Sequence, residues 1–201
     1  MKFWGEPKEI KMPALQIRFK SKSKRFAGGK RIYLRRVRIS DVDGDYYQWM
    51  NDPEVTRFMI SRFTTHTKKS LKDYVRKILD DPQYSFFAIV LKDSNRHIGN
   101  IKVGPFEKNG AVFVGIMIGD KNCWNRGYAT EAIQLVSRHA FEEMKIRELK
   151  AGCLLPNVGS INAFKKAGYS EKRFYENREI VDGKPEGSVV LQLKKENLIY
   201  R

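Results

Sequence analysis

The residues best suited to bind a phosphate lie in the stretch 123–133, which reads Cys-Trp-Asn-Arg-Gly-Tyr-Ala-Thr-Glu-Ala-Ile. It follows an apolar, β-branched run at 111–118 that is typical of a strand, and it opens a segment with apolar residues at helical spacing. A helix N-terminus presents backbone N–H groups and the positive end of the helix dipole. Gly127 would let an anion approach the backbone, and Arg126 adds a charged donor. The pattern favours a phosphate site, although a plain strand-to-helix turn that needs a glycine would have the same sequence.

The apolar pattern of the rest of the chain predicts a single α+β domain that positions this turn. Strands are expected at 31–39, 86–91, 98–103, 111–118 and 148–155, and a closing hairpin at 173–180 and 188–193. Helices are expected from Ser40 or Asp41 to about Met50, over 68–79, after Gly127, and between Asn157 and Gly168. The sequence therefore predicts one α+β domain with about seven strands and about four helices.

The segment 124–129, Trp-Asn-Arg-Gly-Tyr-Ala, resembles the acyl-CoA-binding motif Gln/Arg-x-x-Gly-x-Gly/Ala of the GNAT N-acetyltransferase superfamily. Its tryptophan departs from the general motif and is similar to the ribosomal-protein-acetyltransferase-like branch. Two further segments resemble that branch: Asn-Asp-Pro-Glu-Val at 51–55 and Asn-Val-Gly-Ser-Ile-Asn-Ala-Phe-Lys-Lys-Ala-Gly-Tyr at 157–169. The similarity spans roughly 32–193, and several motifs in the same order are more specific than any one of them.

The resemblance implies acetyl-CoA as cosubstrate, with no metal. It implies a mixed, mostly antiparallel sheet with a splayed central strand pair. In that pair the backbone of Ile116, Met117 and Ile118 is expected to pair with pantetheine as an added strand would. It also implies a set of residues around the remainder of CoA: Asn125, Arg126, Gly127, Tyr128 and Ala129 at the pyrophosphate, Thr130 as a further CoA-binding residue, Asn157 at the pantetheine, and Lys165 or Lys166 at the 3′-phosphate. Two plainer interpretations stay open, namely that 111–118 is an ordinary core strand and that Asn157 is only a helix N-cap.

The resemblance also exposes two missing proton-transfer groups. Many relatives have a Glu that acts as general base at the position of Phe113, and others have a Tyr that acts as general acid at the position of Phe164. Ser160, one helical turn after Asn157, is expected to donate a proton to the departing thiolate. His66, in a loop expected over the acceptor cleft, is the expected proton acceptor because its ordinary pKa suits that task. Catalysis by positioning alone stays open as well.

The predicted acceptor is a primary amine of a small molecule. If the resemblance holds, Arg57, Arg62 and Tyr175 lie beside it, and these side chains suit an anionic, partly aromatic compound such as a nucleotide-linked amino sugar. The stretches 58–68, 98–104 and 115–120 also look like enzymes that acetylate such sugars. One alternative is an N-terminal acetyltransferase of a ribosomal or other protein. Another, from a different class, is a non-catalytic CoA- or nucleic-acid-binding protein.

The net charge of +16 over 201 residues is unevenly distributed. Residues 1–30 carry nine Lys or Arg against Glu6 and Glu9, which is +7 and leaves +9 for the remainder. We expect a basic, flexible arm over 1–30 and the N-acetyltransferase domain over 31–201, and we favour a solvated tail over a nucleic-acid-binding arm. The chain has neither a run of about 20 apolar residues nor a signal-peptide pattern, which predicts a cytoplasmic protein without a membrane span. A homodimer is left open.

Overall fold

The computed structural model describes residues 26–198 apart from 107–109, 144–145 and 182, and for 177–181 it describes only the backbone. The described chain forms eight strands and five α-helices, against the seven and four expected. In chain order these are β1 (Ala27–Gly28), β2 (Ile32–Arg36), α1 (Asp45–Asn51), α2 (Pro53–Thr56), α3 (Lys68–Asp80), β3 (Ser85–Leu91), β4 (His97–Phe106), β5 (Ala111–Ile118), α4 (Tyr128–Glu142), β6 (Glu148–Leu154), α5 (Val158–Lys166), β7 (Ser170–Val181) and β8 (Lys184–Lys194). Short 3-10 turns occupy Ile39–Asp43, Ile60–Phe63, Lys121–Cys123 and Lys195–Asn197.

One sheet contains all eight strands in the order β1-β2-β3-β4-β5-β6-β8-β7. Every neighbouring pair is antiparallel except β5 and β6, which are parallel because α4 crosses back between them. That parallel pairing joins only 111–113 to 148–150. Beyond it, β5 stays paired with β4 as far as Ile118, whereas β6 stays paired with β8 as far as Leu154. The central pair is therefore splayed, as expected.

Helices cover both faces of the sheet. On one face, α4 and α5 bury Ile133, Val136 and Phe164 against the strands. On the other face, α1 and α3 bury Trp49 and Leu71. β3 contributes to both layers, with Phe87 and Ile89 toward α4 and Phe86, Ala88 and Val90 toward α1 and α3. This two-sided burial explains why β3 is a continuous apolar run in the sequence.

Two boundaries differ from the expected ones. The helix expected from Ser40 or Asp41 to Met50 is a 3-10 turn followed by α1, because Asp41 is bound by Arg35 and by the Arg38 N–H instead of capping a continuous helix. The sheet also begins before residue 31. Ala27 and Gly28 pair with β2, and the Phe26 ring stacks on Phe87 with centroids 4.1 Å apart. The rest of the expected basic arm, 1–25, lies outside the described residues.

No helix within the described part of the chain is long and apolar enough to cross a membrane.

Candidate active site

An open cleft of about 500 Å³ lies where β5 and β6 diverge. Its walls come from four segments: α2 and the residues after it, β5, the turn that leads into α4, and the start of α5. Eleven of the residues expected to bind cosubstrate or acceptor line this cleft: Arg57, Ile116, Met117, Ile118, Asn125, Gly127, Tyr128, Ala129, Thr130, Asn157 and Ser160. The structure thus brings together residues that are up to 103 positions apart in the sequence.

The start of α4 is built to receive an anion. Gly127 adopts a left-handed φ of 78°, and it caps the helix without a side-chain hydrogen bond. The first intrahelical bond runs from the Glu131 N–H to the Gly127 carbonyl, at 3.1 Å. The N–H groups of Tyr128, Ala129 and Thr130 consequently have no acceptor within the helix, and all three residues line the cleft. Such an end suits a phosphate or diphosphate.

A brace behind this turn holds it in place. The Glu131 carboxylate accepts hydrogen bonds from the Arg31 N–H (2.7 Å), the Ile32 N–H (3.2 Å) and the Arg31 Nε (3.0 Å). The Arg31 guanidinium also donates to the Arg126 carbonyl at 2.7 Å and lies over the Tyr128 ring. No local sequence signal indicates Arg31, because the contact joins residues 100 positions apart. Arg126 contributes its carbonyl to the brace, and its side chain is not among the residues that line the cleft.

The free edge of β5 faces the cleft. The Gly119 N–H donates to the Ile98 carbonyl, so the alternation of an antiparallel ladder directs the backbone of Met117 toward β4 and that of Ile116 and Ile118 toward the splayed side. The Trp124 indole N–H already donates to the Ile118 carbonyl at 2.7 Å. The N–H and the carbonyl of Ile116 and the N–H of Ile118 therefore point into the cleft. Met117 also lines the cleft, but its backbone N–H and carbonyl point toward β4.

Asn157 and Ser160 come together at the start of α5. The Asn157 side-chain oxygen accepts a hydrogen bond from the Ser160 N–H at 3.2 Å, so Asn157 is the helix N-cap. This cap uses the amide oxygen and leaves the amide nitrogen as a donor. The Ser160 hydroxyl lies 3.4 Å from the buried Cys153 sulfur. Burial raises the pKa of the Cys153 thiol, and the hydrogen bond from Ser160 only partly offsets it, so this thiol is a poor nucleophile.

Lys165 does not line the cleft, whereas Lys166 does. The Lys165 ammonium forms an ion pair with Glu171 of β7 at 2.5 Å. Lys166 lies one helical turn after Asn162, which also lines the cleft, so the period of α5 turns Lys166 toward it. Of the two lysines considered for the 3′-phosphate, Lys166 is the better placed.

Three other expected site residues are outside the cleft lining. The His66 backbone N–H donates to the side-chain oxygen of Asn51, and the side-chain nitrogen of Asn51 donates to the His66 carbonyl. These two hydrogen bonds fix the loop against the end of α1. Arg62 donates to the Met59 carbonyl at 2.8 Å and lies over the Phe63 ring. Tyr175 lies in β7 beneath the Arg173 guanidinium. The roles expected for these residues stay predictions.

A splayed strand pair beside a helix that begins at a glycine without a side-chain cap is the arrangement that the resemblance to acyl-CoA-dependent acyltransferases implies. The particular family is identified by residues 31–170, which match the family model of the acetyltransferase (GNAT) domain. This match covers more than half of the chain, so the chain belongs to the GNAT acetyltransferase family.

Named relatives agree with this assignment. The chain is 26% identical over 173 residues to a probable N-acetyltransferase, YjcK, of Bacillus subtilis, covering 82% of this chain and 94% of that one. Its fold is similar to spermidine N-acetyltransferase from Vibrio cholerae in complex with CoA and spermine, with a TM-score of 0.75, 12% identity, and coverage of 84% and 98%. It is also similar to RimL, a ribosomal-protein α-N-acetyltransferase in complex with CoA, with a TM-score of 0.74, 14% identity, and coverage of 83% and 95%.

The chain is accordingly an acetyl-CoA-dependent N-acetyltransferase, and the non-catalytic alternative is not supported. The cleft fits this cosubstrate because it combines a strand edge for amides with an uncapped helix end for a diphosphate. Among the described residues, no group of three or more His, Cys, Asp or Glu side chains is placed to hold a metal ion.

Proposed function

We propose that this enzyme acetylates a primary amine on an anionic small molecule, with an amino sugar linked to a nucleotide as the best candidate. The observation that carries the proposal is the charge of the cleft. Among the described residues that line it, the charged side chains are Glu54, Arg57 and Lys166. Two of these three side chains are cations, so the lining carries a net positive charge. The Glu54 carboxylate is ion-paired at 3.0 Å with Lys121, an ammonium that it shares with Asp52.

The two substrates are proposed to reach the splay from opposite faces of the sheet. Ile116 and Ile118 pack toward α4 and α5, the face that carries Gly127 and Ser160. Val55, Met59 and Met117 pack toward α1 and α3, the face that carries Arg57. Acetyl-CoA would occupy the first face and the acceptor the second, with the reacting atoms meeting beside Ile116.

Acetyl-CoA supplies a thioester carbonyl and a thiolate leaving group. The chain then has three tasks: the helix end holds the diphosphate, the β5 edge orients the pantetheine amides, and the Ser160 hydroxyl donates a proton to the sulfur. As the N–C bond forms and the C–S bond breaks, the amine loses one proton and the sulfur gains one, so the overall transfer is proton-neutral. Phe113 and Phe164 cannot exchange protons, and an amine with a pKa near 8 is partly neutral without a strong base. Positioning therefore carries most of the proposed rate enhancement.

The acceptors named for the fold neighbours are cations, unlike the anionic acceptor proposed for this chain. Spermine and spermidine are polycations, which require exposed carboxylates in the acceptor site. A protein N-terminus also approaches as a cation. The described lining offers one carboxylate, Glu54, which is already ion-paired, and two cations, Arg57 and Lys166, and this balance supports an anionic acceptor over both alternatives.

The test is an acceptor panel assayed by thiol release at saturating acetyl-CoA. It compares a UDP-linked amino sugar, the free amino sugar, spermidine and an N-terminal peptide. We expect the highest kcat/KM for the UDP-linked sugar. Equal values for free and linked sugars, or a preference for spermidine or peptide, would contradict the proposal.

A variant sharpens this comparison. Arg57→Gln removes the cation on the proposed acceptor side of the cleft and should lower kcat/KM for the UDP-linked sugar about tenfold, because a charge-assisted hydrogen bond is lost. The value for the free sugar should change little. Arg76→Gln, an exposed arginine on α3 paired with Asp73, is the matched control and should leave both acceptors unchanged.

A further inference from the structure

Lys102 is a charged side chain on the acceptor face of the sheet that the site described so far does not use. In β4 it lies opposite Phe86 of β3 on one side and Gly115 of β5 on the other. Phe86 packs with α1 and α3, so Lys102 shares the face that the acceptor is proposed to use. On this face of β5 the residue next to Gly115 is Met117, which lines the cleft.

Two tyrosines hold the Lys102 ammonium. Its Nζ donates to the Tyr74 hydroxyl at 3.0 Å and lies 5.6 Å from the Tyr74 ring centroid and 5.2 Å from that of Tyr84. A lysine on a flexible stem is thereby fixed at one place with its charge intact, since rings attract a cation without neutralising it. Each of the three side chains is at least partly exposed.

The surface beside this ammonium is open. Gly115 is exposed, and a Cβ added to it would meet no atom within 4 Å. β6 has already diverged at this level, because its pairing with β5 ends at Phe113. Gly115 is two residues from Met117, or about 7 Å along the strand, so Lys102, which lies opposite Gly115, is close to the end of the cleft on the same face of the sheet.

Resting on the proposed function, we infer that Lys102, held by Tyr74 and Tyr84, binds the phosphate of the anionic acceptor. Arg57 and Lys102 then contact the acceptor from two sides of the floor formed by Met117 and Gly115. A point charge with rotatable donors suits a phosphate oxygen, whereas a cationic acceptor would be repelled. Lys102 is accordingly a specificity-determining residue.

The test uses substitutions at Lys102 in the full chain, with UDP alone as the probe and the acceptor panel as the second readout. Lys102→Gln should raise the inhibition constant of UDP, measured as a competitor of the acceptor, about tenfold or more. Lys102→Arg should retain much of the UDP inhibition because it keeps the charge. The control is Lys172→Gln, which removes a lysine of the edge strand β7 that is paired with Glu148.

Charge reversal separates recognition from a merely structural role. Lys102→Glu should weaken UDP inhibition further and raise the rate with spermidine relative to the UDP-linked sugar. Acetyl-CoA should still raise the Tm of every variant by the wild-type amount. Equal losses with spermidine and the linked sugar, or UDP inhibition that is absent in the wild type or identical in Lys102→Gln, would overturn the inference. If the wild type prefers spermidine or the peptide as acceptor, the proposed function is refuted. The inference about Lys102 is then tested separately, by comparing the inhibition constant of UDP between the wild type and Lys102→Gln.

Discussion

Gly127 meets two separate demands at the residue scale. Its φ of 78° disfavours any side chain, and its position at the uncapped start of α4 leaves the backbone open to a ligand. We predict that Gly127→Val abolishes the increase in Tm that acetyl-CoA gives the wild type through mass action. A Cβ would lie 3.3 Å from the Arg31 guanidinium and would obstruct the backbone donors.

The control for Gly127→Val is Gly183→Val, which has the same φ of 78° in an exposed turn with no atom within 4 Å of the added Cβ. Both variants should lose about 1–3 kcal/mol of stability from backbone strain, but only the first should lose the acetyl-CoA response. A folded Gly127→Val protein with the full response would contradict the phosphate site.

Ser160 and His66 differ in their relation to the cleft. Ser160 lines it, and its hydroxyl touches the buried Cys153 thiol, whereas His66 is anchored to Asn51 outside the lining. We expect Ser160→Ala to lower kcat about tenfold with little change in acetyl-CoA affinity, since a thiolate is a tolerable leaving group. A general base would cost about 10² or more on removal, and we expect His66→Ala to cost clearly less. Steady-state kinetics of the two variants tests both predictions. A loss in kcat of about 10² or more in His66→Ala would show that His66 is the proton acceptor.

At the scale of elements, the contact between β2 and α4 positions the phosphate-binding turn. Glu131 is mostly buried, with 14% of its side chain exposed, and it binds two backbone N–H groups and the Arg31 Nε. Glu131→Gln keeps the shape but supplies a weaker acceptor and an extra donor. We predict a loss of about 1–3 kcal/mol, seen as a lower Tm, together with weaker acetyl-CoA binding. Glu142→Gln, exposed on the same helix, is the control, and equal losses in the two variants would refute the role of the brace.

The link between β2 and the first 3-10 turn should make stability depend on pH. Burial acts to raise the pKa of the Asp41 carboxyl, but hydrogen bonds from Arg35 and the Arg38 N–H, with the charge of Arg35, hold that pKa below its ordinary value. A carboxyl whose pKa is lowered by folding stabilises the protein above its unfolded pKa, and this stabilisation is lost as pH falls through the folded value. We predict that the free energy of unfolding falls below about pH 4 more steeply in the wild type than in Asp41→Asn. Asp73→Asn, an exposed control, should keep the wild-type slope.

Local sequence signals predicted the elements well and their long-range contacts poorly. The apolar runs located β3 to β6, and the helical spacing after Gly127 located α4, because both patterns reflect burial along one segment. The one-turn α2 and the two-residue β1 are too short to give a periodic signal. The choice of Lys166 over Lys165 depends on how α5 packs, whereas the Arg31–Glu131 brace and the face shared by Lys102 and Arg57 depend on how strands pair. Single-sequence reasoning does not determine that pairing.

At the scale of the whole molecule, the splay between β5 and β6 joins the two faces of the sheet at one place. The opening begins where the short parallel pairing at 111–113 ends, and the N-terminus of α4 lies beside this opening. The positive charge on the proposed acceptor side depends on the whole fold, because Arg57 follows α2 and Lys102 is in β4. Residues 1–25 lie outside the described structure, and their role as a solvated basic arm stays a prediction.

The most direct test of this account is a crystal structure of the full chain with CoA bound. We predict diphosphate oxygens within hydrogen-bonding distance of the Tyr128, Ala129 and Thr130 N–H groups, with the pantetheine amides along Ile116. The sulfur should lie beside the Ser160 hydroxyl. A CoA molecule bound away from the splay, or a diphosphate held by other residues while these N–H groups face solvent, would contradict the central claim.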